Sequence, residues 1–138
     1  MLTLNFLILC HVLKFDPECY SIWKAEYKED LANYLPFMCN NLVGGMMQRV
    51  EKMNKYGFGS VCVFGEKPNC QIHGIWIWRG QDLIFELNED WNVDAPSYKF
   101  TKLDPNAEST KTAITEFFKW EGAFEGIDGE LKDGKIFK

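Results

Sequence analysis

The chain has 138 residues, of which 46% are hydrophobic and 25% charged, and its formal net charge is −5. This length and composition predict one soluble globular domain with a sizeable core. Like charges form no block, which argues against a nucleic-acid or anionic-membrane partner. An odd, scattered set of cysteines is typical of reduced intracellular thiols rather than a disulfide framework. The five cysteines are Cys10, Cys19, Cys39, Cys62 and Cys70.

Residues 1–14, MLTLNFLILCHVLK, form an atypical N-terminal segment. Their apolar run is too short to span a bilayer, and a secretory signal would need a basic start and a small-residue cleavage point. A buried strand or helix is the favoured interpretation, with a sequence-prediction or splicing error and a targeting signal as the alternatives. Residues 15–138 are predicted to form the domain proper, in which residues 15–27 hold a short strand or a turn of helix.

The first clear helix signal begins at Asn40 or Asn41, either of which would cap the helix, and ends at Gly57. Pro36 interrupts the apolar run just before it. Apolar residues then recur at three- and four-residue spacing, which predicts an amphipathic helix. These residues are Val43, Met46, Met47, Val50 and Met53.

Three β-favouring runs follow, at residues 61–64, 72–78 and 83–87. Gly80, in the sequence Arg79-Gly80-Gln81-Asp82, is expected to supply the positive φ of a two-residue hairpin turn. The pattern predicts an antiparallel meander of three strands.

The middle run is apolar at odd and even positions alike. Side chains alternate faces along a strand, so Ile75 and Ile77 should cover one face while Trp76 and Trp78 cover the other. Such a strand belongs in a sheet that is covered on both sides.

The rest of the chain predicts one more strand and one more helix. In residues 97–103, Tyr98 and Phe100 alternate with polar residues, as in a strand with one solvated face. A helix is expected over residues 109–120, ending at Gly122, with Ala113, Ile114, Phe117 and Phe118 as its apolar stripe. Ile136 and Phe137 are expected to dock on the body. The predicted fold class is therefore α+β, a single domain with an antiparallel four- to five-stranded sheet flanked by helices.

Candidate chemistry is sparse. Cys70-x-x-His73 is half of a zinc site, but the second ligand pair that such a site needs is missing. Cys62 could face His73 across two strands, yet no third group is present to activate either residue. We expect no catalytic residue, no metal and no cofactor.

A polar cluster follows the hairpin and surrounds Trp91. Carboxylates at strand ends are usually solvated or capping groups. The alternative is a partner-binding rim in which Arg79 acts as an anchor beside the tryptophans, a pairing that interfaces favour. The candidate partner-binding residues are Trp78, Arg79, Asp90, Trp91 and Asp94.

Several stretches together resemble one known family, the C-terminal domain of the gamma subunit of eukaryotic translation elongation factor 1. They are CNNLVGGMMQRVEKM at residues 39–53, SVCVFG at 60–65, GIWIWRGQDLIFELNEDWNVD at 74–94, SYKFTKLDP at 97–105, FFKWEGAF at 117–124 and GKIFK at 134–138. The resemblance runs from about residue 15 to the last residue in matching order and spacing.

The resemblance implies a non-catalytic scaffold module of the translation elongation machinery, cytoplasmic and monomeric, that binds protein partners of the elongation factor 1 complex. It implies no direct nucleic-acid contact and no membrane span. In the family, attachment to the nucleotide-exchange subunit uses a glutathione-transferase-like domain, so we expect this chain alone to bind other partners. The alternative hypothesis is a small-molecule or lipid-binding domain that uses an aromatic sheet face of Trp76, Trp78 and Tyr98.

Overall fold

The chain forms one antiparallel sheet with helices on its faces. The computed structural model describes residues 20–53, 57–80, 95–124, 126–127 and 129–137. The strands follow the order β4-β1-β3-β2-β5 across the sheet. This confirms the predicted α+β class, with five strands in the part of the chain that the structure describes. The elements are β1 Tyr20–Tyr27, α1 Pro36–Arg49, β2 Gly57–Phe64, β3 Gln71–Arg79, β4 Tyr98–Leu103, α2 Glu108–Lys119 and β5 Leu131–Phe137, with 3-10 turns at Glu51–Met53 and Ala95–Ser97.

The central strand β3 pairs with β2 on one edge and with β1 on the other. The predicted meander is therefore correct for β2 and β3 and wrong for its third strand, because β1 occupies the edge of β3 assigned to residues 83–87. Residues 83–87 themselves lie outside the described residues. Gly80 has the expected positive φ, +92°.

Two glycines of β2 make room for the tryptophans of β3. Gly57 lies opposite Trp78 and Gly59 lies opposite Trp76 in the strand register. A Cβ atom on Gly59 would come within 2.5 Å of the Trp76 ring, so only glycine fits there. The two indoles stack at 5.2 Å with an interplanar angle of 8°. Gly57 and Gly59 of β2 therefore leave the space that the rings of Trp78 and Trp76 occupy on β3.

The two faces of the sheet carry separate cores, as predicted from the alternation along β3. The tryptophan face, defined by Trp76 and Trp78, packs with buried residues of α1 such as Val43 and Met46. The isoleucine face, defined by Ile75 and Ile77, packs with α2. The apolar stripe of α2 supplies Ile114, Phe117 and Phe118 to that second core, with Ala113 partly buried beside them. Each helix therefore closes one face.

The first helix begins earlier than predicted. It starts at Pro36 after Leu35, no side chain caps it, and it ends at Arg49. Proline is favoured in the first turn because its missing N–H has no partner there in any case. The predicted caps Asn40 and Asn41 lie inside the helix, and Gly57 opens β2 rather than ending α1.

The second helix ends one residue before Trp120, which adopts the left-handed conformation at φ 58° instead of the predicted stop at Gly122. The Trp120 indole Nε1–H donates to the Ser60 hydroxyl at 3.1 Å, and that hydroxyl donates to the Phe117 carbonyl at 2.7 Å. A buried residue of β2 thereby fixes the end of α2.

The C-terminal residues dock as predicted, because β5 pairs with β2 and buries Phe137. Among the helices that the structure describes, none is long and apolar enough to cross a membrane.

Candidate functional site

The predicted partner-binding rim is only partly within the described residues. Arg79 is exposed and ends β3, opposite Tyr20 of β1. Trp78 has no exposed surface and lies in the core, so its ring offers nothing to a partner in this structure. Asp90, Trp91 and Asp94 lie outside the described residues. The rim stays a prediction, and it depends on Arg79, Asp90, Trp91 and Asp94 rather than on Trp78.

The aromatic face proposed for small-molecule or lipid binding is buried. Trp76 and Trp78 have no exposed surface and Tyr98 is 6% exposed. Phe137 packs against both indoles, with ring centroids 5.4 and 5.9 Å away. This face is a packed core, so the hypothesis is wrong about where a ligand would bind.

Cys62 and His73 lie directly opposite each other in the register of β2 and β3. A reactive pair needs a thiolate beside an imidazolium, with the thiol pKa lowered. Here burial raises the pKa of Cys62 to about 12, with a hydrogen bond between Cys62 and Ser60 opposing the rise and Asp133 adding to it. Burial lowers the pKa of His73 to about 4, against a smaller opposing effect of Glu26. Near neutral pH both groups are therefore uncharged and the pair is inert.

Cys70 and His73, the half zinc site, point to different cores. Cys70 belongs to the core of the tryptophan face, and its thiol donates to the Tyr34 carbonyl at 3.3 Å. His73 contacts the Phe64 ring on the other face, and its Nε2 is 2.8 Å from the Gln71 side-chain oxygen. Within the described ranges, no group of three or more histidine, cysteine or acidic residues could hold a metal ion.

The other buried thiol, Cys39, is also protonated near neutral pH. Burial, and then the neighbouring Cys70, raise the pKa of Cys39 to about 11. Cys39, Cys62 and Cys70 are free thiols, as the sequence predicts for all five cysteines, and Cys10 and Cys19 lie outside the described residues. Buried thiols of raised pKa are structural groups, because the thiolate is the reactive form.

The start of α1 presents apolar surface that the sequence analysis did not identify. Phe37 is 59% exposed, Leu35 41% and Met38 38%. The run at residues 31–37 was interpreted as an apolar stretch broken by Pro36. Pro36 begins the helix, but nothing in the local pattern indicated that the side chains beside it would be exposed.

A cleft on the isoleucine face is the second feature that the sequence did not reveal. It lies between α2 and the sheet and includes Lys24 of β1, Leu103 of β4 and Thr110 of α2 in its lining. Lys24 lies far along the chain from Leu103 and Thr110, so no local pattern could have placed the three together.

Comparison with known proteins places these features in a family context. A family model described as "Elongation factor 1 gamma, conserved domain" matches residues 6–82, more than half of the chain. The match includes β1, α1, β2, β3 and Arg79, and begins inside the segment 1–14 set apart above.

Curated relatives agree with that match. Elongation factor 1-gamma of Artemia salina is 51% identical over 127 residues, which are 91% of this chain and 29% of the relative. Elongation factor 1-gamma-A of Xenopus laevis is 49% identical, over 90% of this chain and 28% of the relative. The probable elongation factor 1-gamma of Caenorhabditis elegans is 49% identical, over 90% of this chain and 31% of the relative. The chain thus spans less than a third of the length of these relatives.

Proposed function

The chain belongs to the elongation factor 1 gamma family, and we propose that it acts as a non-catalytic protein-interaction module of the translation elongation factor 1 complex. The observation that carries this proposal is the family match, which includes the central strand and its exposed end at Arg79. We place the module in the cytoplasm, where translation elongation takes place, and at the C-terminal end of the family's architecture.

The chemistry of the buried groups supports a non-catalytic role. A catalytic site needs a nucleophile or a base with a pKa matched to its task. The thiols of Cys39 and Cys62 have raised pKa values and the imidazole of His73 a lowered one, so none is poised to react near neutral pH. The helices that close both sheet faces leave these groups inside the cores.

We place the partner-binding surface at the end of β3. Arg79 is exposed there, and the acidic and aromatic residues Asp90, Trp91 and Asp94 follow within fifteen residues of the chain. Arginine and tryptophan are enriched among the residues that dominate binding energy at interfaces. The exposed apolar residues Leu35 and Phe37 at the start of α1 are the competing surface.

Affinity capture from a eukaryotic lysate tests the function. The tagged chain is the bait, and an unrelated folded domain of similar size and net charge is the control bait. We expect proteins of the elongation factor 1 complex other than the nucleotide-exchange subunit to be enriched on the chain at physiological salt, identified by mass spectrometry. Equal recovery on both baits would contradict the proposal.

A further inference from the structure

The cleft on the isoleucine face has the volume and the lining of a small-ligand site. Its volume is about 310 Å³, and Ile75, Leu103 and Phe117 provide apolar surface within it. Ile75 and Phe117 are almost completely buried, so the cleft reaches the core of this face. Small-ligand sites combine such apolar walls with a few polar groups, and their volumes begin at roughly 300 Å³.

Thr110 supplies an unused polar group. Its side chain is 4% exposed and lines the cleft, and its hydroxyl has no hydrogen-bond partner among the described residues. Its oxygen is not one of the fully buried unpaired polar atoms of the described residues, so the hydroxyl remains accessible from the cleft. A ligand atom in the cleft would provide a partner.

The surroundings of Thr110 favour a negatively charged group. Thr110 lies in the first turn of α2, where Ala107 precedes the helix and no side chain caps it. The first N–H groups of a helix lack partners within it and carry partial positive charge, which attracts anions. Lys24, also in the lining, adds an ammonium group that forms an ion pair with Glu26 at 3.3 Å and keeps further donors for a ligand.

The carboxylate in the lining lies away from that end. Glu116 is six residues beyond Thr110, roughly 9 Å along the helix axis at the usual rise. Its Oε2 already accepts the backbone N–H of Phe124 at 3.1 Å. The lining therefore combines an ammonium group and the start of α2 with apolar surface, and its carboxylate lies further along the helix. Glu108, in the same first turn, is 90% exposed and forms an ion pair with Lys111 at 3.7 Å.

We propose that this cleft binds a small amphipathic carboxylate, with the acid group at the Thr110 hydroxyl and the first turn of α2 and the apolar body against Ile75, Leu103 and Phe117. This activity is separate from protein binding at the end of β3. It also differs from ligand binding on the tryptophan face, because that face is buried.

A titration with three matched ligands tests the proposal. Octanoate, octylammonium and octan-1-ol share one alkyl chain and differ in the charge of the head group. Amide chemical shifts of the full chain are followed by two-dimensional nuclear magnetic resonance as each ligand is added. We expect octanoate to saturate, with shifts centred on Thr110, Ala113 and Ile75, and to bind at least about tenfold more tightly than the other two.

Variants locate the site. Thr110→Val keeps the shape of the side chain without its hydroxyl, and Lys24→Gln removes the cation from a partly exposed position. Each should weaken octanoate binding by about tenfold. Ala113→Leu should fill the cleft and abolish binding. Lys111→Gln, at an exposed position on the same helix, is the matched control and should bind as the parent does.

Four outcomes would overturn the proposal. They are no saturable shift with octanoate, shifts centred on the exposed start of α1, octylammonium binding as tightly as octanoate, and parent-like binding by both Thr110→Val and Lys24→Gln. Because Lys24 is partly exposed, the second variant should stay folded even if Thr110→Val does not.

Discussion

Trp76 lies on the central strand with no exposed surface, stacked on Trp78 and packed against Phe137. Replacing it with alanine removes a large ring from a site that cannot collapse, because β2 contributes only Gly59 opposite it. We expect Trp76→Ala to lower the free energy of unfolding by about 3–5 kcal/mol, measured by urea denaturation. Phe37→Ala, at a position 59% exposed, is the matched control and should cost less than about 1 kcal/mol. An unchanged urea midpoint for Trp76→Ala would show that the ring is not in the core.

His73 makes the stability of the fold depend on pH. The pKa of His73 is lowered to about 4 by burial, from 6.5, and its Nδ1 has no hydrogen-bond partner. Between these pH values the unfolded chain binds a proton that the folded chain does not, so folding becomes less favourable as pH falls. The loss should begin near pH 6.5 and amount to as much as about 3 kcal/mol near pH 4.

Urea midpoints measured at a series of pH values test this dependence. The polar groups near the imidazole are the Gln71 amide, the Cys62 thiol and the Lys24–Glu26 pair, and only the last two residues carry charge. His73→Phe removes the titrating group and should flatten the profile between pH 6.5 and pH 4. If the parent and the variant lose stability in parallel, the acid sensitivity comes from other groups.

At the scale of the elements, the side chains of β2 and β3 fit together because β2 supplies glycine where β3 supplies tryptophan. A methyl group at Gly59 would overlap the Trp76 ring. We expect Gly59→Ala to destabilise the protein by about 1–3 kcal/mol, as overpacking does. Gly45→Ala is the matched control, since its Cβ would meet only the flexible end of Arg49 at 3.3 Å within α1.

The control should melt at or above the parent temperature, because alanine favours a helix by up to about 1 kcal/mol over glycine. Equal losses for the two alanine variants in thermal denaturation would contradict the register-specific role of Gly59.

The junction of β2 with α2 depends on one hydroxyl. Ser60 donates to the Phe117 carbonyl in a buried hydrogen bond and accepts from the Trp120 indole in a partly buried one. Ser60→Ala leaves both partners without a hydrogen bond, at a cost of about 1–3 kcal/mol. Ser109→Ala, at an exposed helix position, should have little effect. Hydrogen exchange would show faster exchange at the end of α2 in Ser60→Ala, and unchanged exchange there would argue against the junction.

For the molecule as a whole, the sequence predicted what local pattern controls. The apolar residues on both faces of β3 required a sheet covered on both sides, and the three- and four-residue spacing from Val43 to Met53 marked α1. The neighbour of β3 was not predictable in this way, because the pairing of Ile77 with Ile22 joins residues 55 positions apart. Pro36 alone does not distinguish a break from a helix start, because proline both ends and begins helices.

For the candidate site too, local pattern predicted part of the arrangement, and contacts between distant parts of the chain determined the rest. The face on which Trp78 lies followed from alternation, but its complete burial depended on the packing of other elements over it. Thr110 gave no local signal beyond a polar residue in a helix start. Its place in a cleft with Lys24 and Leu103 arises only when three separate elements meet.

The central claim is that the chain binds elongation-factor proteins through the rim at the end of β3. The most direct test compares the parent with a chain carrying Arg79→Ala and Trp91→Ala as bait in affinity capture at physiological salt. We expect the double variant to recover at least roughly tenfold less of the elongation factor 1 proteins, since an anchor pair at an interface contributes about 2 kcal/mol or more. Phe37→Ser, which alters the exposed start of α1, should recover as much as the parent. Parent-like recovery by the double variant, or a loss confined to Phe37→Ser, would contradict the claim.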